Sequence, residues 1–460
     1  MSNAARLNLK SIKKHIFPDG NISLRVKPAS ETLNMADPIC KKIGVTRISD
    51  ITYMDRLYIP NYSVFLPGTQ DSIWVYSGKG PTKLQAKASG LMETVERFCS
   101  LSSNYTKNYT SGSYSKLSGI YRKVIHPDEV VEPVNSNYDT MSSIVDYISG
   151  YDLQNNHEVL VPAQLALSKY SAKGSSDYAF MYSHTNGLAS GNTLEEAICH
   201  ALYEVIERDA VSIADLCSSS IPFTELKKNN ELNIPEDEFV DDANLFQEVD
   251  ISQEIYEYEP LKMLAKKFDD AELHLLVKDI TQKDIGVPTF VASCVESISS
   301  DYGYYAKGYG THLDSRIALI RAITELSQTR AGNIQGARDD LRKIEYREND
   351  QIHKRKWEFM RSMSLGPQNK DIKQILFSEI ETHSIEDIRD EIKYILSSLK
   401  KAGLKRTIVV DLTNPDLGIP VVRAIVPGLE TFEIQKLFTS TEFFMGRRAT
   451  SYYEKTRSVK

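Results

Sequence analysis

Cysteine is scarce in this chain of 460 residues, and its few copies are scattered. The five cysteines are odd in number, and none belongs to a C-x-x-C pair. Neither a disulfide framework nor a zinc knuckle is therefore indicated, and we expect buried free thiols. The cysteines are Cys40, Cys99, Cys199, Cys217 and Cys294.

Long hydrophobic runs are also absent. No segment approaches the ~18 apolar residues that a membrane helix needs. The opening MSNAARLNLKSIKKHIF lacks the apolar core and cleavage site of a secretory signal, so we expect a cytoplasmic protein that does not bind membranes. A net charge of -7 argues against nucleic acid as a partner, because phosphate backbones are bound by basic surfaces.

One pattern occurs three times without gaps. The copies are GPTKLQAKASGLMETVER at 80–97, GNTLEEAICHALYEVIER at 191–208 and HLDSRIALIRAITELSQT at 312–329. Small residues recur at helix-packing positions, and acids recur at Glu93, Glu204 and Glu325. Each copy follows a glycine-bearing turn. Extended apolar segments with an early proline also recur, at 57–67, 285–294 and 417–428. The pattern predicts strand-turn-helix units related by internal pseudo-symmetry, since the copies are too far apart for a solenoid.

We therefore predict an α+β fold of mixed β-sheets packed with helices, as a single domain over 1–460. Its core is expected at about 20–335 and 405–445. Residues 338–404 combine mixed charge with helical periodicity, which predicts a solvated helical insertion. Residues 218–260 are acidic and irregular, which predicts a surface loop.

The repeated helices carry polar stripes that contain acids but no lysine. Residues three or four apart share a helix face. The stripes are Ser89, Glu93 and Glu96 in the first helix, and Asn192, Glu196, His200, Glu204 and Glu207 in the second. A solvated face is one interpretation. The other is a site for Mg²⁺, which takes oxygen ligands and is commonly shared between carboxylates and the phosphates of a nucleotide.

Basic residues beside these stripes are candidates for the phosphates. Lys79 lies in the SGKG turn before the first helix, where backbone N–H groups and the helix dipole attract anions. Arg97 and Arg208 follow glutamates directly and are placed to pair with phosphate or to orient the acids. The Walker A spacing G-x-x-x-x-G-K-[ST] does not occur in the chain.

These motifs resemble the signature blocks of the YcaO family. The matching stretches are SGKGPTKLQAKASGLMETVER, TNGLASGNTLEEAICHALYEVIERDA and GYGTHLDSRIALIRAITELSQTR, preceded by RVKPASETL at 25–33 and IGVTRISDITYMDRLYIPNYS at 43–63. The resemblance covers roughly residues 20–335 and 405–430. It implies a YcaO-type fold and an enzyme that uses ATP and more than one Mg²⁺ ion to activate a peptide backbone amide.

The resemblance also implies roles for individual residues. The implied magnesium ligands are Glu93, Glu96, Glu196, Glu204 and Glu207, and catalysis is expected from Glu93, Glu96, Glu204, Glu207 and Arg208. The implied nucleotide contacts are Arg25, Thr32, Lys79, Ser89, Arg97, Asn192, Arg208 and Gln328, with Glu325 beside them.

Three functions fit the resemblance. The motifs are most similar to those of the archaeal members, which are linked to thioamidation of a glycine in methyl-coenzyme M reductase. This similarity implies that sulfide is the nucleophile, that the substrate is a protein, and that a TfuA-like partner takes part. An azoline- or amidine-forming enzyme acting on a ribosomal peptide is the alternative, although no proline follows Pro427, where azoline-forming members often have a proline-rich tail. A nucleotide-binding scaffold without turnover is the third. A homodimer is compatible with each.

Four further residues are interpreted mainly as structural. His184 and His312 lie in turns near the repeated helices and are expected to shape those turns rather than to meet substrate. Cys199 and Cys294 lie in apolar surroundings and are expected to pack in the core, with a sulfur-relay cysteine as the alternative.

Overall fold

The chain folds into three mainly antiparallel sheets and a set of packed helices. The computed structural model describes residues 7–15, 25–68, 74–121, 123–126, 129–130, 139–170, 184–218, 246–251, 258–295, 305–336, 374–431 and 446–451. The helices are α1 Ala29–Ile43, α2 Lys83–Ser100, α3 Tyr114–Tyr121, α4 Ala163–Ala166, α5 Leu194–Ser218, α6 Glu259–Asp270, α7 Ser315–Gln335 and α8 Ile388–Lys401.

The strands fall into sheets of three, five and six. They are β1 Arg47–Asp50, β2 Asn61–Phe65, β3 Val75–Lys79, β4 Thr110–Gly112, β5 Val145–Asp152, β6 His157–Pro162, β7 Leu188–Ser190, β8 Glu248–Asp250, β9 Leu276–Asp279, β10 Thr289–Val295, β11 Tyr305–Thr311, β12 Gln374–Leu376, β13 Ile408–Asp411 and β14 Val421–Ile425. Their orders are β1-β2-β3, β11-β10-β9-β8-β12 and β4-β5-β13-β14-β7, with β6 beside β5.

The predicted strand-turn-helix repeat is confirmed, and each unit is larger than predicted. Strands β3, β7 and β11 each lead into a helix that begins four positions later, at α2, α5 and α7. Each of these strands pairs antiparallel with one of the predicted proline-containing segments, β2, β14 or β10. A third strand, β1, β13 or β9, completes each unit. The unit is therefore three antiparallel strands with a helix that follows one edge strand.

The same turn follows the first strand of all three units. An aspartate at the strand end accepts a hydrogen bond from the backbone N–H of a threonine two residues later, which closes an Asx turn. The distances are 3.0 Å for Asp50 and Thr52, 2.9 Å for Asp279 and Thr281, and 3.0 Å for Asp411 and Thr413. The D-x-T tripeptide therefore marks the repeat as clearly as the helices do.

Each repeated helix packs closely on its own strand and then reaches the next unit. A Cβ at Gly78 would lie 2.1 Å from the Ala86 carbonyl oxygen, and one at Gly310 would lie 2.0 Å from that of Ala318, so glycine is required at both places. Helix α2 also packs on β7, α5 on β11 and α7 on β3, which makes the arrangement cyclic. Three buried apolar clusters, one around each helix, form the core.

Two sequence interpretations are corrected in part. Of the predicted insertion at 338–404, residues 338–373 lie outside the described part. In the rest, strand β12 pairs with β8, and helix α8 buries Ile392, Ile395 and Leu399 against α5. The described half is therefore built into the core, because only one face of α8 is charged. Of the predicted loop at 218–260, the described residues include strand β8 and the start of α6.

The cysteine prediction holds where the structure describes the side chains. Cys40, Cys99, Cys199 and Cys294 are buried and free, whereas the side chain of Cys217 lies outside the described part. Among the described helices, none has the length and apolar character needed to cross a membrane.

Candidate functional site

The acids of α2 and α5 converge between the first two units. Glu96 is buried, and one of its carboxylate oxygens accepts a hydrogen bond of 3.0 Å from the backbone N–H of Ser190. Burial raises the pKa of Glu96 well above its ordinary value. Arg97 opposes this rise, and the carboxylates of Glu204 and Glu93 add to it. Carboxylates that raise one another's pKa lie close together.

Glu204 lies at the centre of this group and is partly buried. Burial raises its pKa, and four guanidinium groups act in the opposite direction. These belong to Arg208, Arg97, Arg423 and Arg321, in decreasing order of effect. Acids and arginines therefore alternate around Glu204, as expected where metal ions and phosphate groups bind together.

Glu207 is a buried acid of the site with an unpaired oxygen. It is 3% exposed, and its Oε2 has no hydrogen-bond partner within the described residues. The guanidinium of Arg321 lies 4.0 Å away, too far for a hydrogen bond. Burial, and after it the carboxylate of Glu325, raise the pKa of Glu207 to about 7 against the opposing charges of Arg321, Arg208 and Lys79. A buried carboxylate oxygen of this kind is costly unless something binds it.

Glu325, on α7, is compensated instead. It forms a short ion pair with Lys79 and accepts a hydrogen bond from the backbone N–H of Tyr309 at 3.3 Å. Burial alone raises its pKa, but Lys79 and Arg208 outweigh burial, and the pKa of Glu325 is lowered. The two neighbouring acids, Glu207 and Glu325, thus differ in charge state because a lysine has been placed beside one of them.

Comparison of equivalent positions separates structural from functional acids. Glu96, Glu207 and Gln328 occupy the same position in the three helices. Glu96 accepts from the backbone of Ser190 on β7, and the Gln328 side-chain amide donates to the Ser77 carbonyl on β3 at 2.7 Å. Both bonds reach the next unit in the cycle. Glu207 has an unpaired oxygen in the same place, so the symmetry is broken there.

A second cluster joins the N-terminal block to α5. The Arg25 guanidinium lies 3.2 Å from Glu196, and the backbone N–H of Val26 donates to the same carboxylate at 2.9 Å. Asn192 donates its side-chain amide to Glu196, and Thr32 donates its hydroxyl to Asn192 at 2.9 Å. Both oxygens of Glu196 therefore already accept hydrogen bonds, and in this arrangement the residue orders the N-terminal segment.

The remaining predicted residues lie at the edge of the site. Ser89 is partly buried on the striped face of α2. Glu93 lies one turn further along and is 3.7 Å from Arg97. The structure thus places Glu93, Glu96, Arg97, Glu204 and Arg208 in one group and Arg25, Thr32, Asn192 and Glu196 in another.

The sequence interpretation missed Arg321. This residue faces Glu207 from α7 and acts electrostatically on Glu204 as well. The repeat alignment contained the signal, because position 321 is equivalent to Ser89 and His200, which had been placed on the polar stripes. Arg423, on β14, was also missed, and no local pattern indicated it.

The two turn histidines contact protein groups, as their structural interpretation predicted. His312 is buried, with its Nε2 at 3.2 Å from Glu391 and its ring against Tyr203. The carbonyl of His184 accepts from Arg423 at 2.9 Å, and its Nδ1 lies 2.8 Å from the same guanidinium.

The residues present fit Mg²⁺ bound together with a nucleotide. Among the described residues, no three His, Cys, Asp or Glu side chains form a complete cage for a metal ion. Mg²⁺ usually takes one or two carboxylates and completes its shell with phosphate oxygens and water. The free oxygen of Glu207 and the raised pKa values of Glu96 and Glu204 mark carboxylates that a cation would stabilise.

Comparison with known proteins agrees with this site. A family model described as YcaO cyclodehydratase, binding ATP and Mg²⁺, matches residues 77–430, which include all three repeated helices. The chain belongs to the YcaO family. ATP and Mg²⁺ are its cofactors, as the sequence resemblance predicted.

Individual relatives are also similar over most of their length. An uncharacterized protein of Methanothermobacter thermautotrophicus is 33% identical over 410 residues, 89% of this chain and 95% of the relative. An uncharacterized protein in the tfuA 3′ region of Rhizobium leguminosarum bv. trifolii is 28% identical over 411 residues, 88% of each chain.

Two solved structures share the fold. YcaO from Methanopyrus kandleri, bound with AMPPCP and Mg²⁺, superimposes with a TM-score of 0.64 at 21% identity and covers 92% of this chain and 96% of its own. A heterocyclase in complex with substrate and cofactor gives 0.69 at 22% identity, covering 96% of this chain and 56% of its own. At these identities the likeness shows the fold alone.

Proposed function

We propose that this YcaO protein uses ATP to activate a backbone amide of a peptide and replaces the amide oxygen with sulfur, giving a thioamide. The observation that carries the proposal is the unpaired Oε2 of Glu207, which lies in a buried group of acids faced by Arg321 and Arg208. Such a site fits the cation and phosphate groups of Mg-ATP. The archaeal relative and the archaeal structural neighbour support the thioamide-forming branch.

The chemistry follows from the poor leaving ability of an amide oxygen. Hydrosulfide adds to the carbonyl carbon, the resulting oxyanion takes the γ-phosphoryl group of ATP, and phosphate then leaves with that oxygen. Bound Mg²⁺ would supply charge neutralisation at the phosphate oxygens. Lys79, Arg208 and Arg321 are placed to stabilise the negative charge that spreads over the transferring phosphoryl group. Burial strengthens each of these interactions.

The acids divide into two roles in this proposal. Glu93, Glu96, Glu204 and Glu207 are assigned to the metal ions, because they lie on the acidic faces of α2 and α5, burial raises the pKa of the last three, and one oxygen of Glu207 is unpaired among the described residues. Glu196 connects Arg25 and Asn192, which carry the nucleotide contacts expected of the N-terminal block.

A glycine-containing segment of a protein such as methyl-coenzyme M reductase is the proposed substrate. The Rhizobium relative from the tfuA 3′ region supports a TfuA-like partner. We further propose that the protein works in the cytoplasm and forms a homodimer.

Azoline formation is the second candidate, because the matching family model is described as a cyclodehydratase and one structural neighbour is a heterocyclase. The nucleophile would then be a Cys, Ser or Thr side chain of the peptide itself.

Mass spectrometry separates the two candidates. The protein is incubated with ATP, Mg²⁺, sulfide and a glycine-containing peptide that also carries a cysteine. Exchange of oxygen for sulfur raises the peptide mass, whereas ring closure lowers it by one water. We expect the mass increase from the wild type and from Glu259→Gln, a control at an exposed acid on α6, and neither product from Glu204→Gln. Loss of water would establish the alternative, and ATP binding with no product would indicate a scaffold.

A further inference from the structure

The N-terminal segment 7–15 contacts both α8 and α5, and the roles above leave it unassigned. The backbone N–H of Lys14 donates to the carbonyl of Glu386, just before α8, at 2.8 Å. Nearer the N-terminus, the backbone N–H of Lys10 donates to the carboxylate of Glu195 at 2.8 Å. Glu195 lies in the first turn of α5. The segment therefore connects the start of α8 with the start of the helix that carries most of the acids.

The side chain of Lys14 is buried in an ion pair. Its Nζ lies 2.7 Å from a carboxylate oxygen of Glu391 on α8, and both side chains are almost fully buried. The same carboxylate accepts a hydrogen bond of 2.6 Å from Tyr203 of α5 and lies 3.2 Å from His312. A buried ion pair adds little stability compared with apolar packing, because both ions lose their hydration, and its better-attested role is to fix register. The pair of Lys14 and Glu391 thus fixes where the N-terminal segment lies.

The residue after Lys14 links this ion pair to Arg25. The backbone N–H of His15 donates to the carbonyl of Arg25 at 2.8 Å. The Arg25 guanidinium lies 3.2 Å from Glu196, and the backbone N–H of Val26 donates to the same carboxylate at 2.9 Å. The N-terminal segment therefore holds the main chain of Arg25, and α5 holds its side chain.

We propose that Lys14 is a positioning residue, which orders Arg25 and so raises the affinity of the site for Mg-ATP. The inference rests on the nucleotide contact proposed for Arg25, and it holds for either peptide product. An arginine loses side-chain freedom when it binds a phosphate, and one that is ordered beforehand loses less. The Arg25 side chain is 36% exposed, so packing around it is incomplete. Its order depends on the contacts at its two ends, and Lys14 fixes one of them.

A double-mutant cycle tests the assignment. The dissociation constant of AMPPCP with Mg²⁺ is measured for the wild type, Lys14→Met, Arg25→Ala and the double variant, under conditions where urea denaturation shows each of them folded. We expect Arg25→Ala to weaken binding by about 10–100-fold, the size of a hydrogen bond to a charged group. Lys14→Met should weaken it by about 5–20-fold, because the guanidinium remains but is less ordered. In the Arg25→Ala background, Lys14→Met should cause no further loss.

Two further variants separate positioning from folding. Lys13→Met is the matched control, because Lys13 is the adjacent lysine, is 79% exposed and pairs with Glu386 at the surface at 3.6 Å. It should bind AMPPCP like the wild type. His15→Pro removes the N–H that donates to Arg25 and leaves the Lys14 side chain in place. It should weaken binding as Lys14→Met does, and it decides the question if Lys14→Met does not fold.

Each other outcome overturns the inference. Wild-type affinity in Lys14→Met or in His15→Pro shows that the N-terminal segment does not order Arg25 for the nucleotide. An equal loss with and without Arg25, or the same loss in Lys13→Met, shows a general structural effect. Wild-type affinity in Arg25→Ala removes the nucleotide contact proposed for Arg25 and this inference with it. That result is distinct from the others, because it appears in a variant that leaves Lys14 unchanged.

Discussion

Replacing Glu207 by glutamine should stabilise the protein while removing its activity. The carboxylate is buried, one oxygen has no partner, and burial followed by Glu325 raises its pKa to about 7. The folded protein therefore favours the protonated form, and glutamine mimics that form with nearly the same shape. The equivalent position of α7 already holds a glutamine, Gln328. We expect Glu207→Gln to fold and to be more stable than the wild type.

The magnitude follows from the pKa of the group in the two states. A change of the pKa from 4.5 in the unfolded chain to about 7 in the folded protein corresponds to about 3.5 kcal/mol at most, at about 1.4 kcal/mol per unit. Because Glu325 adjusts to the charge on Glu207, we expect about 1–3 kcal/mol. The folded-state pKa is raised, so the penalty is absent below the unfolded value, grows as the pH rises, and is complete above about pH 7. The increase in stability caused by Glu207→Gln must therefore show the same pH dependence.

Urea denaturation at about pH 5 and about pH 8 measures this gain. The matched control is Glu391→Gln, another buried glutamate. Burial alone raises the pKa of Glu391, but His312 and Lys14 lower it to about 2. Its charged form is therefore stabilising above the unfolded pKa, and this stability is lost as the pH falls through the folded value. Glu391→Gln should destabilise the protein at both pH values, by about 3–5 kcal/mol because it breaks a buried pair. The reasoning would be refuted if Glu207→Gln were less stable than the wild type at about pH 8, or if the substitution raised the free energy of unfolding by the same amount at both pH values.

Binding of a Mg-nucleotide should make the wild type more stable than Glu207→Gln. A ligand at 100 times its dissociation constant stabilises the folded state by about 2.7 kcal/mol. We expect this increase for the wild type with Mg²⁺ and an ATP analogue, and little of it for Glu207→Gln. The carboxylate of Glu207 would then destabilise the free protein and bind the metal in the complex, as expected where stability and activity conflict.

Three other substitutions test separate parts of the structure. Gln328→Glu should lower stability by about 1–3 kcal/mol at neutral pH, because a carboxylate would replace the amide that donates to Ser77; thermal melting that matches the wild type would contradict this. Asp55→Asn should cost about 3–5 kcal/mol in urea denaturation, since it breaks a buried two-bond pair with Arg330 at 2.8 Å for each bond. Glu204→Gln should lower Mg²⁺ affinity or ATP turnover by at least about 10–100-fold with folding retained, and unchanged turnover would remove Glu204 from the site.

The repeated helices could be predicted from the sequence because they depend on local information. Glycine turns, small residues and acids recur at fixed spacing, and each copy has a capping side chain, which is Thr82, Thr193 or Asp314, at the same position. The convergence of Glu93, Glu96 and Glu204 was accessible for the same reason: equivalent elements pack in equivalent ways.

The pairing of distant segments could not be predicted in this way. Strand β7 precedes its helix, but its partner β14 lies more than two hundred residues later in the chain, so the middle unit is assembled from two separate stretches. No local pattern records such pairing, because hydrogen bonds between strands depend on register and not on residue type. Arg423 was missed for this reason, since β14 brings it to the site.

Mixed charge was a poor guide to the position of α8. Lys393 and Asp390 face solvent, while Glu391 is buried together with the apolar residues Ile388, Ile392 and Ile395. An amphipathic helix on the surface and one that closes a core share the same period, and only the packing partner distinguishes them. The buried ion pair of Lys14 with Glu391 adds to this, since it ties the helix to an N-terminal segment that composition alone does not single out.

The equivalent positions 96, 207 and 328 differ in their hydrogen bonds, and this difference locates the site more precisely than the presence of acids alone. If all three units had kept an unpaired buried carboxylate, each would carry the cost of an unsatisfied charge. Instead the Ser190 backbone satisfies Glu96, and a neutral glutamine replaces the acid at 328 and binds Ser77. Glu207 differs from both, because one of its oxygens has no hydrogen-bond partner among the described residues and Arg321 approaches without making a hydrogen bond. The polar side chains at positions 96 and 328 are thus hydrogen-bonded to the next unit, whereas that of Glu207 keeps an unpaired oxygen among the described residues. Binding of a cation with its phosphate ligand is the function that the charges around Glu207 fit.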